Sequence, residues 1–87
     1  MVQKETSGIG ETSSKTEVSE RQLRHWEDVG YIQPERVVCG DKSYRRYSPA
    51  DIQHIHTIKK FLDQGYKLQV AVQKANEENN HAQNYKK

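Results

Sequence analysis

The sequence predicts a mainly α domain in which four helical segments are interrupted once by a short β-hairpin. Three observations predict it. Ser19, with Gln22 three residues on, and Ser48, followed by Pro49 and Asp51, each open an apolar pattern of helical period. Gly40 and Asp41 separate two β-branched and aromatic stretches, "RVVC" and "KSYRRYS". All but Val2 and Ile9 of the Leu, Ile, Val and Phe residues lie between Val18 and Val72, so the 87 residues hold one small core.

Taken in order, residues 1–7 are polar and mixed and read as a flexible tail, residues 8–76 as the domain, and residues 77–87 as a second polar tail with little to bury. Ile9 to Thr16 forms a short helix, joined to the next by a tight turn at Glu17 and Val18. The second helix begins near Ser19, with Ser19 capping backbone N–H groups and Gln22 reaching back. Leu23, Trp26 and Val29 recur every three residues and turn one face inward; Gly30 supplies a left-handed cap. The opposite face carries Arg21, Gln22, Arg24, His25 and Asp28. Pro34 ends this run, and a short hairpin follows with a basic, aromatic tip. Ser48 then caps a helix carrying Ile52, Ile55, Ile58 and Phe61/Leu62 on one stripe, closed by Gly65. The last helix runs from Leu68 to about Asn76, with Leu68, Ala71, Val72 and Ala75 at helical spacing; Lys67 is a weak cap, so it is expected to be short. The order is that of a winged helix-turn-helix: two helices joined by a tight turn, a β wing, then two more helices.

Charge narrows the function less than position does. Fourteen Lys and Arg residues are interleaved with 12 Asp and Glu, and the net charge of +2 permits an acidic partner without requiring one. The one cysteine, Cys39, cannot form an internal disulfide, and no apolar run approaches a signal sequence or membrane span. A reducing cytoplasm is therefore expected, with no membrane partner. His54 and His56 are two residues apart on a helix and face about 200° away from each other, so they cannot share an ion. Neither a metal nor a cofactor is expected. The absence of a Gly-rich phosphate loop, a nucleophile motif or a paired-carboxylate pocket argues against an enzyme.

The stretch "VSERQLRHWEDVGYIQPERV", followed by "SYRRYSPADIQHIHTIKKFLDQGYKL", resembles the DNA-binding domain of the MerR family of bacterial transcriptional regulators. Leu23, Arg24, Trp26, Glu27, Gly30, Ile32, Pro34, Arg36, Tyr44, Arg45, Tyr47, Asp51, Ile52, Ile58 and Gly65 match that pattern in order and spacing, over about Ile9 to Val72. The resemblance implies a bacterial regulator of the cytoplasm and nucleoid that binds double-stranded DNA at an inverted-repeat operator. It also implies a homodimer on DNA, with RNA polymerase or a regulatory protein as a further partner. The recognition helix would occupy about residues 19–29 and the wing about 37–47.

A recognition helix needs short or forked polar side chains at its N-terminal end, and Ser19, Arg21 and Gln22 stand there. Arg suits guanine and Gln suits adenine, each bidentately. Further along, the resemblance places Arg24 and His25 on the phosphate backbone, with His25 held by the ring of Trp26; the plain alternative for Arg24 is an ion pair with Asp28. Trp26 shares the inward stripe, although its edge could still touch DNA. In the wing, Lys42, Tyr44, Arg45 and Arg46 combine charge with aromatic hydrogen bonding. Tyr44 and Arg45 are expected on phosphate or in the minor groove, and Tyr47 against Ile52. Lys15, at the end of the first helix, where relatives carry either an apolar or a basic residue, is included as a candidate contact with the DNA backbone.

Two departures from the family pattern stand out. Thr12 and Ser13 replace an apolar residue and Ala, and Glu17 replaces a common Gly, so the first helix should pack less well. Relatives also continue into a long C-terminal pairing helix and an effector domain. The chain is therefore either a DNA-binding fragment of a longer regulator or a minimal protein pairing through Leu68 to Ala75 and its tail. Two alternatives remain open: an excisionase-like architectural DNA-binding protein, and a protein-interaction module using the Ile52 to Leu62 helix or the tail.

Overall fold

The elements follow the predicted order in the computed structural model, which describes residues 6–84 of the chain and side chains as far as residue 78. They are α1 (Ile9–Thr16), α2 (Glu20–Asp28), β1 (Glu35–Cys39), β2 (Lys42–Arg46), α3 (Pro49–Asp63) and α4 (Leu68–Asn84). The outer parts of the two expected tails, residues 1–5 and 85–87, lie outside the described residues. The chain divides into two units, Met1–Gln53 and His54–Lys87.

In the first unit, the turn between α1 and α2 is set by Glu17, the only non-glycine residue with positive φ among the described residues (φ 63°, ψ 26°). Its N–H donates to the carbonyl of Ser13 at 2.8 Å. The Thr16 hydroxyl donates to the Thr12 carbonyl at 2.8 Å and accepts from the N–H of Val18 at 3.3 Å, so one side chain serves both sides of the turn. Val18, Leu23, Trp26, Ile32 and Tyr47 are buried, and Thr12 is buried with them. The Thr12 hydroxyl finds no hydrogen-bond partner among the described residues. This is the physical form of the looser packing expected of α1, because a buried hydroxyl without a partner costs roughly 1–3 kcal/mol.

α2 starts where Ser19 Oγ accepts from the N–H of Gln22 at 3.1 Å. Its end is a Schellman motif: the N–H of Gly30 donates to Glu27 O at 3.0 Å and that of Tyr31 to Trp26 O at 2.8 Å, with Gly30 at φ +87°. Val29, expected on the inward stripe, is instead 47% exposed. Three-residue steps drift around a helix of 3.6 residues per turn, and six residues place Val29 about 120° from Leu23.

The wing pairs β1 with β2 antiparallel in the register Glu35↔Arg46, Arg36↔Arg45, Val37↔Tyr44, Val38↔Ser43 and Cys39↔Lys42. Gly40, at φ +67°, takes the first position of the two-residue loop, where a type II′ hairpin turn places glycine. The paired region begins two residues before the expected boundary at 37. A further bridge was not expected from the sequence. The N–H of Ser7 donates to Tyr47 O at 2.9 Å and that of Tyr47 to Ser7 O at 2.8 Å, so the inner end of the expected N-terminal tail is fixed to the base of the wing.

α3 opens on a reciprocal cap, with the Asp51 N–H donating to Ser48 Oγ at 3.0 Å and the Ser48 N–H to Asp51 Oδ2 at 2.9 Å. In the second unit Ile55, Ile58, Ala71, Val72 and Ala75 are buried. Phe61 and Leu62 are only half-buried. α3 ends in a second Schellman motif, the Gly65 N–H donating to Leu62 O at 2.9 Å and the Tyr66 N–H to Phe61 O at 3.2 Å. α4 continues to Asn84, well past the expected end near Asn76. Past Asn76 the sequence EENNHAQN is half Asn and His, which are weak helix formers, so propensity alone does not account for the extension. Lys60 on α3 bonds Glu78 on α4 at 3.3 Å, one contact beyond the apolar pattern.

Glu17→Gly should stabilise the chain by about 1 kcal/mol, because the left-handed conformation costs a side-chain-bearing residue about that much. Thr12→Val should add a gain of similar size, about 1 kcal/mol, by removing the unpartnered hydroxyl. Urea denaturation monitored by circular dichroism checks both, and a lowered midpoint in either variant contradicts the corresponding account.

Candidate nucleic-acid interface

α2 has two faces. Leu23 and Trp26 are buried, whereas Arg21, Gln22, Arg24 and His25 are exposed. Trp26 is 1% exposed, which leaves no edge for DNA. His25 is not held by it either: adjacent residues on a helix do not face one another, and here one is inside and the other outside. Arg24 pairs with Glu20 at 3.3 Å rather than with Asp28. Both carboxylates lie four residues away, but Glu preceding Arg by four is the orientation that agrees with the helix dipole. Ser19 is engaged as the helix cap, and its exposed position keeps its O–H available as a donor.

The wing stands beside this helix because of Glu27. Its Oε1 accepts from Arg45 Nε, and its Oε2 accepts from Arg36 Nε at 3.4 Å and Nη2 at 3.2 Å. Arg36 and Arg45 are direct cross-strand partners, so two like charges face each other across the hairpin with one carboxylate between them. Like charges in that position repel; the carboxylate offsets the repulsion. Arg36 Nη1 also donates to Ser43 Oγ at 3.2 Å. The Glu27 and Arg45 side chains are 18% and 20% exposed. Burial pushes the Glu27 carboxyl up, but the hydrogen bonds from Arg45 and Arg36 outweigh it and hold the group below its ordinary value. The bond to Glu27 raises Arg45 further against the opposing effect of burial. Neither Glu27 nor Arg36 was given a role by the sequence. The signal was present: a two-residue loop at Gly40 and Asp41 fixes the register and places Arg36 opposite Arg45.

Strand alternation divides the remaining wing residues. Lys42, Tyr44 and Arg46 share one face, and Ser43 and Arg45 the other, so Tyr44 and Arg45, expected to act together, point to opposite sides. Tyr44 is 51% exposed and Lys42 is exposed. Arg46 is occupied at the base of the wing, donating from Nε to Thr6 Oγ1 at 3.0 Å and from Nη2 to the Thr6 carbonyl at 2.8 Å. Tyr47 is fully buried, as expected of a packing residue, and burial raises its pKa; its hydroxyl has no partner among the described residues. Lys15, in the last turn of α1, reaches Glu11 at 3.5 Å and Ser7 Oγ at 3.2 Å.

The arrangement presents a polar face on α2 and, on the strand face turned away from Glu27, a basic and aromatic face of the wing. It carries no cluster of three or more His, Cys, Asp or Glu able to hold a metal among the described residues. No helix among them is long and apolar enough to cross a membrane.

Because folded-state binding of the two guanidinium groups lowers the Glu27 pKa, this carboxylate stabilises the fold above its ordinary value of 4.5, and that stability is lost as pH falls through the folded value. Glu27→Gln should therefore lower stability at neutral pH and flatten the acid limb below about 4.5. Urea midpoints of both proteins measured from pH 7 to pH 3 check this, and parallel curves contradict it.

Comparison with known proteins agrees with the geometry. Residues 8–78 match the model of the MerR HTH family of regulatory proteins. The chain is 36% identical over 61 residues to the mercuric resistance operon regulatory protein of Bacillus cereus, covering 69% of this chain and 44% of that protein. It is 30% identical over 61 residues to the HTH-type transcriptional regulator HmrR of Rhizobium leguminosarum bv. viciae, covering 70% of this chain and 45% of the relative. For the heavy metal-dependent transcription regulator 2 of Rhizobium meliloti (strain 1021) the identity is also 30% over 61 residues, with coverage of 70% and 40%. The aligned stretch spans less than half the length of each of these relatives.

Proposed function

The chain belongs to the MerR HTH family, whose members are DNA-binding transcription regulators and not enzymes, and from that premise we propose that it binds double-stranded DNA sequence-specifically. The observation that carries the reading is the division of α2: Leu23 and Trp26 anchor it, and Arg21, Gln22, Arg24 and His25 are left outward along one helix. In the proposed mode α2 enters the major groove, where Arg21 and Gln22 read base edges from its first turn and Ser19 donates its hydroxyl nearby. Arg24, His25 and Lys15 meet the flanking phosphates. Lys42 and Tyr44 reach the backbone or minor groove from the exposed wing face, and Arg46 lies at the base of that face. Arg45 uses Nε for Glu27, and its terminal NH2 groups are the ones to offer phosphate. Two copies on an inverted-repeat operator would place half-sites about one DNA turn apart, or its equivalent after distortion. The site of action would be the bacterial cytoplasm and nucleoid, with RNA polymerase or a regulatory protein as a further partner. The exposed Cys39 has no metal-ligand cluster around it among the described residues.

Selection of bound duplexes from a random pool, followed by fluorescence anisotropy at several protein and salt concentrations, tests the reading. Enrichment of an inverted repeat supports it. Salt-sensitive binding without enrichment favours an architectural role, and no binding to any duplex points to a missing dimerisation segment or to a protein partner.

Two variants then separate reading from gripping. Arg21→Ala should relax preference at one base position per half-site, worth roughly 1–3 kcal/mol. Lys42→Ala should weaken binding to all duplexes alike and flatten the salt slope by about one. Equal effects of both on every sequence contradict that division.

A further inference from the structure

We infer that Glu27 is a positioning residue for recognition: its carboxylate fixes the wing relative to the recognition helix and so sets the preference for a cognate site over other duplexes. The inference rests on the DNA-binding reading above.

Glu27 belongs to the last turn of α2, six residues beyond Arg21, and its side chain points to the wing rather than to solvent. One bond from one strand would leave the hairpin free to pivot. Here the two carboxylate oxygens take different strands, Oε1 the Arg45 of β2 and Oε2 the Arg36 of β1, so rotation about either contact breaks the other. The hairpin has two strands only, and such a hairpin is marginally stable by itself. Its attitude therefore depends on what docks it. On the opposite strand face the docking is at the base, through Arg46 and Thr6, and the backbone bridge between Ser7 and Tyr47 adds a link just past the end of β2. Glu27 holds the other face.

The charge of Glu27 makes positioning separable from affinity. A carboxylate beside a polyanion lowers attraction to phosphate and cancels one of the two guanidinium charges it holds, so on electrostatics alone its removal should tighten binding to any duplex. A positioning role has the opposite sign at the cognate site, because base contacts by α2 and phosphate contacts by the wing must form together in one register. A purely structural role changes both affinities in proportion.

The experiment uses the full chain and two probes, the best duplex from the random-pool selection and a scrambled duplex of the same composition, with thermal unfolding followed in parallel. Glu27→Gln should raise affinity for the scrambled duplex by about two- to threefold and lower it for the selected duplex by about tenfold. Arg36→Gln leaves the Glu27–Arg45 bond in place but frees one strand, and it should also reduce the selected-to-scrambled ratio, by less. Should Glu27→Gln fail to fold, the ratio for Arg36→Gln decides alone. Wild-type preference retained in the folded variants, with or without a fall in melting temperature, overturns the positioning role and leaves DNA binding intact. A wild-type chain that shows no preference between the duplexes overturns both.

Discussion

The wing depends on one carboxylate shared between two guanidinium groups. Arg36 and Arg45 are brought face to face by the hairpin register, and without a counter-charge that register would be opposed by the repulsion of its own side chains. Glu27 resolves this from outside the sheet, and in doing so ties the sheet to α2. The geometry is better than that of an ordinary surface pair: Arg36 donates from two nitrogens to one oxygen, Arg45 occupies the other, and both Glu27 and Arg45 are largely shielded from solvent. Glu27 thus holds one face of a marginal hairpin whose base is tied down separately by Arg46 on Thr6 and by the Ser7–Tyr47 bridge.

The same economy governs the backbone. α2 and α3 both end in Schellman motifs with glycine at the left-handed position, and both begin with a serine cap. These four termini bind orphan N–H and carbonyl groups internally, which lets short helices end sharply where the chain must turn. The exception is the turn after α1, where Glu17 takes a conformation suited to glycine. Together with the unpartnered Thr12 hydroxyl, it makes α1 the least favourably built element of the helix-turn-helix.

What was legible in the sequence was whatever depends on local chemistry. The bounds of α1, the caps at Ser19 and Ser48, the glycine stops at Gly30 and Gly65 and the existence of the hairpin all follow from residues within a few positions of one another. What was not legible depends on pairing across distance. The clamp of Glu27 on Arg36 and Arg45 spans eighteen positions between Glu27 and Arg45, and Arg46 to Thr6 spans forty. Composition alone marks Thr6 and Ser7 as tail. Val29 failed for a different reason, the drift of a three-residue repeat around the helix, and α4 outran its apolar pattern into a stretch where Glu78 meets Lys60, a partner eighteen positions away. For the interface, the polar face of α2 could be read directly, and so could the division of the wing between Tyr44 and Arg45, which follows from their adjacency on one strand once the hairpin is recognised.

The ion pairs around the proposed interface do not stand in the same relation to DNA. Arg24 with Glu20 and Lys15 with Glu11 are pairs in which each side chain is about half exposed. Such pairs contribute about 0–1 kcal/mol, so either cation can exchange its carboxylate for phosphate at little cost and gain from counterion release. Arg45 is shielded and its bond is part of a three-residue network, so removing it from Glu27 would leave a partly buried carboxylate with one partner fewer. In the proposed interface the cations able to leave their carboxylates thus lie on α1 and α2, whereas Arg45 stays on Glu27 through Nε and can meet phosphate only through its terminal NH2 groups. On this argument the wing's contribution to recognition is mainly where it stands, and its proposed contribution to affinity is carried by the Lys42 face and by the terminal NH2 groups of Arg45, which the Nε bond to Glu27 does not use.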